Sequence, residues 1–243
     1  MSCPSIVIGC AGWSLPREHW PAFPVQGTHL QRYAAQFNGV EINSSFYRPH
    51  QPQTYARWAE SVPDGFRFCV KVPKSISHER RLRDCESELD AFLGQCSALG
   101  ERLGCLLLQL PPSLAFDESL AEAFFIALRQ RYAGAVVLEP RHESWVAAEL
   151  LLMAYRIAQA VVDPSRISND TAPQGWPGVR YWRLHGSPRT YYSAYDLPWL
   201  ETLVGRLQVA AGDGVDTWCV FDNTASGAAL GNALQLQQIL MPG

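Results

Sequence analysis

Short runs of β-branched and other apolar residues alternate with longer stretches of helical period along the whole chain. The short runs predict eight strands: Ile6–Cys10, Val40–Asn43, Phe66–Val72, Cys105–Leu110, Ala135–Glu139, Ala158–Val162, Val179–His185 and Thr217–Phe221. Between and after them, helical segments are expected at 28–37, 52–61, 85–102, 117–131, 144–155, 197–211 and 227–240. Over 87–103 the apolar residues Leu89, Phe92, Leu93, Cys96, Leu99 and Leu103 recur every three or four positions, the period of an amphipathic helix. Asp117 and Glu118 open another, with Leu120, Phe124 and Leu128 on one face.

Regular strand–helix alternation implies parallel strands joined by right-handed crossovers. Eight such units close a barrel, so the expected fold is α/β, one TIM-type (β/α)8 domain spanning residues 1–243. An open doubly wound sheet is the competitor, but no GxGxxG follows the first strand. One connection breaks the rhythm: 164–178 carries Asn169, Asp170, Pro173, Gly175 and Pro177 without a helical period. A structureless stretch of that length reads as a functional loop, a candidate lid.

Period-two alternation separates the two faces of each strand. Glu41 and Asn43 share a face, as do Arg67, Cys69 and Lys71, then Val137, Glu139 and Arg141, then Tyr181, Arg183 and His185. The intervening Ile42, Phe68, Val70, Leu138, Trp182 and Leu184 are apolar and suit a layer beneath helices. The polar face therefore points inward, where a charge must be paired or functional, because burying one alone costs several kcal/mol. Polar groups also collect at the carboxyl ends of the strands: Glu41 and Asn43, Lys71, Gln109, Glu139 and Arg141, Asp163, His185, Asp222 and Asn223. That is the face on which barrel enzymes assemble their active sites. Arg67 and Arg183 precede the strand ends and, with Glu41 and Glu139, could instead form a structural ion network.

Loop residues extend the candidates. His78 lies in the third loop, near Lys71, and Trp13 in a tight first loop between Gly12 and Ser14. Two segments could hold an anion: the start of the last helix at 223–227, and the seventh loop at 186–190 with Arg189. Tyr191, Tyr192 and Tyr195 follow and could cover a ligand or pack on the rim.

Composition narrows the class. The chain has 243 residues, 47% of them hydrophobic, and a net charge of −3, which argues against a nucleic-acid binder. Seven cysteines are scattered without CxxC or zinc-type spacing, as expected of reduced, buried thiols. No signal-like or membrane-length apolar run appears, so a cytoplasmic location without membrane partners is expected.

The segments Gly9-Cys-Ala-Gly-Trp13, Val40-Glu-Ile-Asn-Ser-Ser-Phe-Tyr47, Phe66-Arg-Phe-Cys-Val-Lys-Val-Pro73, Leu107-Leu-Gln-Leu-Pro-Pro112, Leu138-Glu-Pro-Arg-His-Glu-Ser-Trp145, Arg183-Leu-His-Gly186 and Phe221-Asp-Asn-Thr224 closely resemble the YecE-like family, domain of unknown function 72. The resemblance implies a TIM-type fold and assigns no reaction. Its motif positions fall on Trp13, Glu41, Asn43, Tyr47, Lys71, His78, Gln109, Glu139, Arg141, Trp145, His185 and Asn223. Leu15, Pro140 and Asp222 depart from the usual pattern.

Three functions are compatible with these residues. The first is an enzyme using general acid–base chemistry on a small polar, anionic or phosphorylated substrate, with Glu41, Glu139, His185 and Lys71 as catalytic candidates. Arg141, Asn43, Trp13, Tyr47, His78, Gln109 and Asn223 would bind that substrate. The second adds a divalent metal on Glu139, His185 and either Asp163 or Asp222, giving an isomerase or phosphoesterase. The third is a non-catalytic barrel binding a nucleotide, nucleic acid or protein, for which Arg80, Arg81 and Arg83 offer a basic patch.

Overall fold

Parallel strands form the centre of the structure, a computed structural model that describes residues 6–167, 172–212 and 214–240. The strands are β1 (Ile6–Cys10), β2 (Gly39–Ile42), β3 (Arg67–Lys71), β4 (Leu103–Gln109), β5 (Ala135–Glu139), β6 (Ile157–Gln159), β7 (Val161–Asp163), β8 (Gln174–Gly175), β9 (Arg180–Leu184) and β10 (Thr217–Phe221). They pair as two sheets, one in the order β1-β10-β9-β7 and one in the order β2-β3-β4-β5-β6-β8. Every pairing is parallel except that of β8 with β6. The helices are α1 (His29–Ala34), α2 (Pro52–Glu60), α3 (Glu86–Cys96), α4 (Glu118–Arg129), α5 (Glu149–Ala154), α6 (Leu197–Gly212) and α7 (Ala228–Leu240). The architecture is thus mixed α/β and rich in parallel strands. Among the described residues no helix is long and apolar enough to cross a membrane.

Local chemistry accounts for where the elements begin and end. Thr28 and Gln31 form a reciprocal capping box at the start of α1, and the Asp117 carboxylate accepts from Leu120 N at 3.0 Å to open α4. The expected helix 85–102 stops at Cys96, and Gly100 leaves helical geometry at φ +56°. The expected helix 144–155 begins as a 3-10 turn over Glu143–Ala148 before α5.

The alternation read from the sequence corresponds to two apolar layers. Ile42, Phe68, Val70, Leu138, Trp182 and Leu184 belong to the larger core shared with the helices. Cys69, Cys105, Leu107, Val137, Tyr181, Trp218 and Val220 form a second cluster on the opposite strand face. Six cysteines among the described residues are free and buried, as expected of small apolar side chains.

The two sheets meet at two places. The expected strand 158–162 divides at Ala160: β6 pairs with β5, β7 pairs with β9, and Ala160 N still donates to Leu138 O at 2.8 Å. The chain thus passes from one sheet to the other within a single residue. The short β8 was not expected; it lies in the candidate lid 164–178, whose Asn169 and Asp170 fall outside the described residues.

At the other meeting, side chains replace a ladder between β1 and β2. Ile8 N donates to Asn38 Oδ1 at 2.9 Å, and Cys10 N donates to the Tyr33 hydroxyl at 2.8 Å. That hydroxyl in turn donates to Gly39 O at 3.1 Å. Gly9 permits the approach, since a Cβ there would lie 2.2 Å from Gly39 O. The two backbones bridge directly at Ala11, just past the end of β1, and Glu41, within β2, where Gly12 N donates to Glu41 O at 2.9 Å.

Tyr33→Phe should therefore strand the Cys10 N–H and lower unfolding stability by about 1–3 kcal/mol in urea titration. Unchanged stability would show that the hydroxyl does not tie the two sheets.

Candidate functional site

Arg183, on β9, is the centre of the inward polar face. It is fully buried and faces three carboxylates. Its Nη2 lies 2.7 Å from Glu41 Oε1, and its Nε donates to Glu41 Oε2 at 2.9 Å. Nη1 lies 3.1 Å from Glu139 Oε2 and 3.0 Å from Asp222 Oδ2. Burial opposes its charge, but Asp222, Glu41 and Glu139 outweigh burial and hold Arg183 well above its ordinary pKa.

The carboxylates are secured from other sides too. Tyr181 OH donates to Glu41 Oε2 at 3.0 Å, which completes a sealed pocket around that side chain. Glu139 Oε1 accepts from Gln109 Nε2 at 2.8 Å and Arg141 Nε at 2.9 Å. Burial pushes the Glu139 carboxyl up, yet Arg183, His185 and Arg141 hold it well below the usual range. Asp222 is lowered in the same way, by Arg183 and by the hydrogen bond from His185 against burial.

His185 sits between two of these groups. Its Nδ1 is 2.8 Å from Asp222 Oδ2 and its Nε2 is 3.2 Å from Glu139 Oε1. Two carboxylate neighbours favour an N–H on both nitrogens, the imidazolium form. Burial disfavours that form, but Glu139 and Asp222 prevail and raise the pKa above its ordinary value.

Lys71 stands apart. It is only 4% exposed, at the end of β3, and its ammonium has no hydrogen bond or ion pair among the described residues. Nζ lies over the Phe46 ring, 4.4 Å from its centroid. Burial and then Arg183 push its pKa down to about 8, against the upward pull of Glu41, Glu139 and Asp222. Charge balance explains why this position is sensitive. The three carboxylates exceed the two arginines by one negative charge, so a single proton on either Lys71 or His185 makes the group neutral. Two protons leave it cationic and receptive to an anion.

The group reaches solvent through Arg141. Its side chain is 19% exposed, and Nη2 donates to Tyr191 OH at 3.0 Å. Glu139 and Tyr191 hold its pKa above the ordinary value despite burial. A cavity of about 390 Å³ lies beside it, lined by Arg141, Arg166, Ser165, His185, Thr190 and Tyr191. That volume suits a small molecule.

The other expected residues divide between the rim and the scaffold. His78 lies on the turn after β3, 4.9 Å from the Phe46 ring between centroids, with Nδ1 2.9 Å from Ser77 Oγ. Burial lowers its pKa, and Lys71 and Arg141 both add to that. Asn43 follows β2 and keeps a buried Oδ1 without a partner. Tyr47 is 67% exposed, and Trp13 packs edge-on against Trp58 at 5.0 Å. Asn223 is spent on architecture: its Nδ2 donates to Ser193 O and to Asn232 Oδ1. Trp145 is buried and donates to Leu114 O.

Several expectations change. Arg67 stays outside the ion network: it sits at the amino end of β3, where its guanidinium donates to Phe66 O at 3.3 Å. Asp163 is held by the Tyr195 hydroxyl at 2.9 Å, apart from the His185 cluster. The donor set does not fit a divalent metal: arginines and His185 already occupy the Glu139 and Asp222 oxygens, and both His185 nitrogens face carboxylates. Among the described residues no group of three His, Cys, Asp or Glu could hold an ion. The basic patch is partly neutralised, with Arg80 on Glu88 at 2.7 Å and Arg81 on Ser113. Sequence reasoning missed Phe46; it put Tyr181 on the inward face and Tyr191 at the rim but did not foresee their partners, Glu41 and Arg141.

A family model described as "Protein of unknown function DUF72" matches residues 7–242. Over 106 residues the chain is 42% identical to the UPF0759 protein YecE of Escherichia coli (strain K12), a stretch that spans 44% of this chain and 38% of that relative. It is 24% identical to the UPF0759 protein YunF of Bacillus subtilis (strain 168), covering 97% of this chain and 94% of the relative. Among solved structures, a DUF72 family protein of Enterococcus faecalis V583 superposes with a TM-score of 0.82 at 22% identity, covering 97% of this chain and 95% of that one. A DUF72 family protein of Thermotoga maritima MSB8 gives 0.77 at 27% identity, covering 97% and 98%.

An ammonium with no partner among the described residues should cost stability. Lys71 holds fewer protons folded than unfolded between pH 8 and 10.5, so stability should climb with pH across that window. Below pH 8 the penalty is constant, at most about 3 kcal/mol. Lys71→Met should therefore gain about 1–3 kcal/mol at pH 7 and lose the alkaline rise, read by urea unfolding at pH 7 and pH 10. A variant less stable than the parent at pH 7 would contradict the assignment.

Proposed function

The chain belongs to the DUF72 family, and from that premise we propose that it is an enzyme using general acid–base chemistry on a small anionic substrate at the carboxyl ends of its strands. The observation that carries this reading is Lys71, 4% exposed, whose ammonium has no ion-pair partner among the described residues although it feels the charge of Glu41, Glu139 and Asp222. A purely structural network would pair it, because an unpaired buried charge lowers stability.

In this reading the two sheets act as one closed (β/α)8 barrel. The passage at Ala160 and the Ala11–Glu41 bridge support that closure. Arg141 binds the anionic group, helped by Arg166 at the cavity edge. Lys71 takes or gives a proton near neutral pH, and His185 supplies the acid form. Glu139 orients His185 and Arg141 rather than exchanging protons itself, since cations crowd its carboxylate. Glu41 has the deepest role: it fixes Arg183, and thereby the other two carboxylates. Asn43 offers a substrate donor its buried Oδ1, Gln109 steadies Glu139, and Tyr47, Trp13 and His78 edge the entrance. Asn223 holds the loop after β10.

Oxalate serves as a minimal dianion to test this. Calorimetric titration should find binding at pH 7 that weakens about tenfold or more in Arg141→Gln, the loss of at least 1.4 kcal/mol. Binding that is absent, or equal in the folded variant, would overturn the assignment.

A further inference from the structure

We propose that the outer face of residues 143–156, which include α5, is a self-association surface on which a second copy of this chain docks antiparallel about a two-fold axis.

Residues 143–156 fold as the 3-10 turn Glu143–Ala148 followed directly by α5. The inner face is already occupied, with Trp145, Ala148 and Leu152 buried in the larger core. The outer face is apolar as well. Between Glu143 and Arg156 the exposed positions are Val146, Ala147, Leu150, Met153 and Ala154, with no polar residue among them. Leu150 is 81% exposed, Val146 49% and Met153 48%. Glu149, the one charged residue between the two ends, is half-buried and accepts from Gly175 N of β8 at 3.0 Å.

A helix that is apolar all round belongs in an interior, whereas a surface helix turns a polar side to water. Other helices of this chain follow that rule. Exposed positions on α3 include Glu86, Ser87 and Asp90, and those on α6 include Glu201, Arg206 and Gln208. The outward side of α5 therefore has the composition of a contact surface.

Its ends identify the partner. The apolar positions are bounded by an exposed acid, Glu143, and an exposed base, Arg156. Leu150 stands midway between them, with Val146 and Met153 on either side. A two-fold axis through Leu150 sets Leu150 against its own copy and Val146 against the partner's Met153. The same axis brings Glu143 to the partner's Arg156, and Arg156 to the partner's Glu143. A parallel pairing would oppose acid to acid and base to base. The face is thus complementary to itself in the antiparallel sense, the condition for an isologous dimer. An apolar centre with charges at its rim is also the usual anatomy of a protein–protein contact. Anionic lipid suits it less, since the face carries an acid beside its one base.

The stripe is roughly 20 Å long. A single helix pair of that length lies at the small end of specific interfaces, so the dimer dissociates on dilution. Docking there also braces the neighbourhood of the anion site. The 3-10 turn begins two residues after Arg141, and Glu149 ties α5 to β8 within the candidate lid 164–178.

Sedimentation velocity of the full chain from about 2 to about 200 µM tests the proposal. The parent should shift from monomer toward dimer across that range. Leu150→Asp, checked as folded by circular dichroism, should weaken the dimer more than about tenfold, because the contact would bury two opposed carboxylates. Glu143→Arg and Arg156→Glu should each weaken it several-fold, and combining them should restore it. A parent that stays monomeric at the highest concentration overturns the inference. Flotation of that monomer with phosphatidylcholine–phosphatidylglycerol vesicles would then assign the face to lipid instead. A dimer unchanged by Leu150→Asp, or a combined variant no tighter than the single ones, overturns it equally.

Discussion

One guanidinium neutralises three carboxylates in the interior of this protein, and the arrangement of the site follows from that constraint. Arg183 spends its donors on Glu41, Glu139 and Asp222, which come from three different strands and loops. Burying even one carboxylate alone would cost several kcal/mol, so these side chains can assemble only around that cation. Because Arg183 satisfies all three, Lys71 is left within their field without a direct partner among the described residues. His185 is drawn between two of them.

The surrounding fold meets the geometric demand this makes. Period-two alternation on β2, β5 and β9 sends Glu41, Glu139 and Arg183 to one face, while the intervening apolar residues pack beneath the helices. The second apolar cluster, around Cys69, Val137 and Val220, lies on the same strand face as the ion network and shields it from water. Low dielectric there strengthens each pair, and equally raises the cost of the unpaired Lys71. A residue that costs stability and is nevertheless built in is the usual signature of a working site.

Much of this was legible in the sequence. Strand positions, helix faces and the polar residues at strand ends follow from periodicity alone, and Glu41, Lys71, Glu139, Arg141 and His185 do converge. Depth was not legible. Alternation places Arg67 and Lys71 on one face but does not tell at which layer the carboxylates of other strands lie, so Arg67 looked like a network member alongside Arg183. The hub role of Arg183 depends on Glu41, 142 positions away. Asp163 looked interchangeable with Asp222 as a ligand and Asn223 looked like a substrate binder, yet Tyr195 and Asn232 claim them. The division at Ala160 has no local signal, because an apolar run reads the same whether its neighbours lie in one sheet or two. Tyr33 and Asn38 act as substitutes for a β-ladder from positions outside any strand.

The central claim is that Lys71, within the field of this cluster, gives up its proton far more readily than an ordinary lysine. With only two lysines in the chain, labelling their side-chain nitrogens with 15N gives two resonances to follow against pH by NMR. The account predicts that one titrates near 8 and disappears in Lys71→Met, while the other behaves as an ordinary surface amine. Two resonances that both titrate near 10.5 would contradict it.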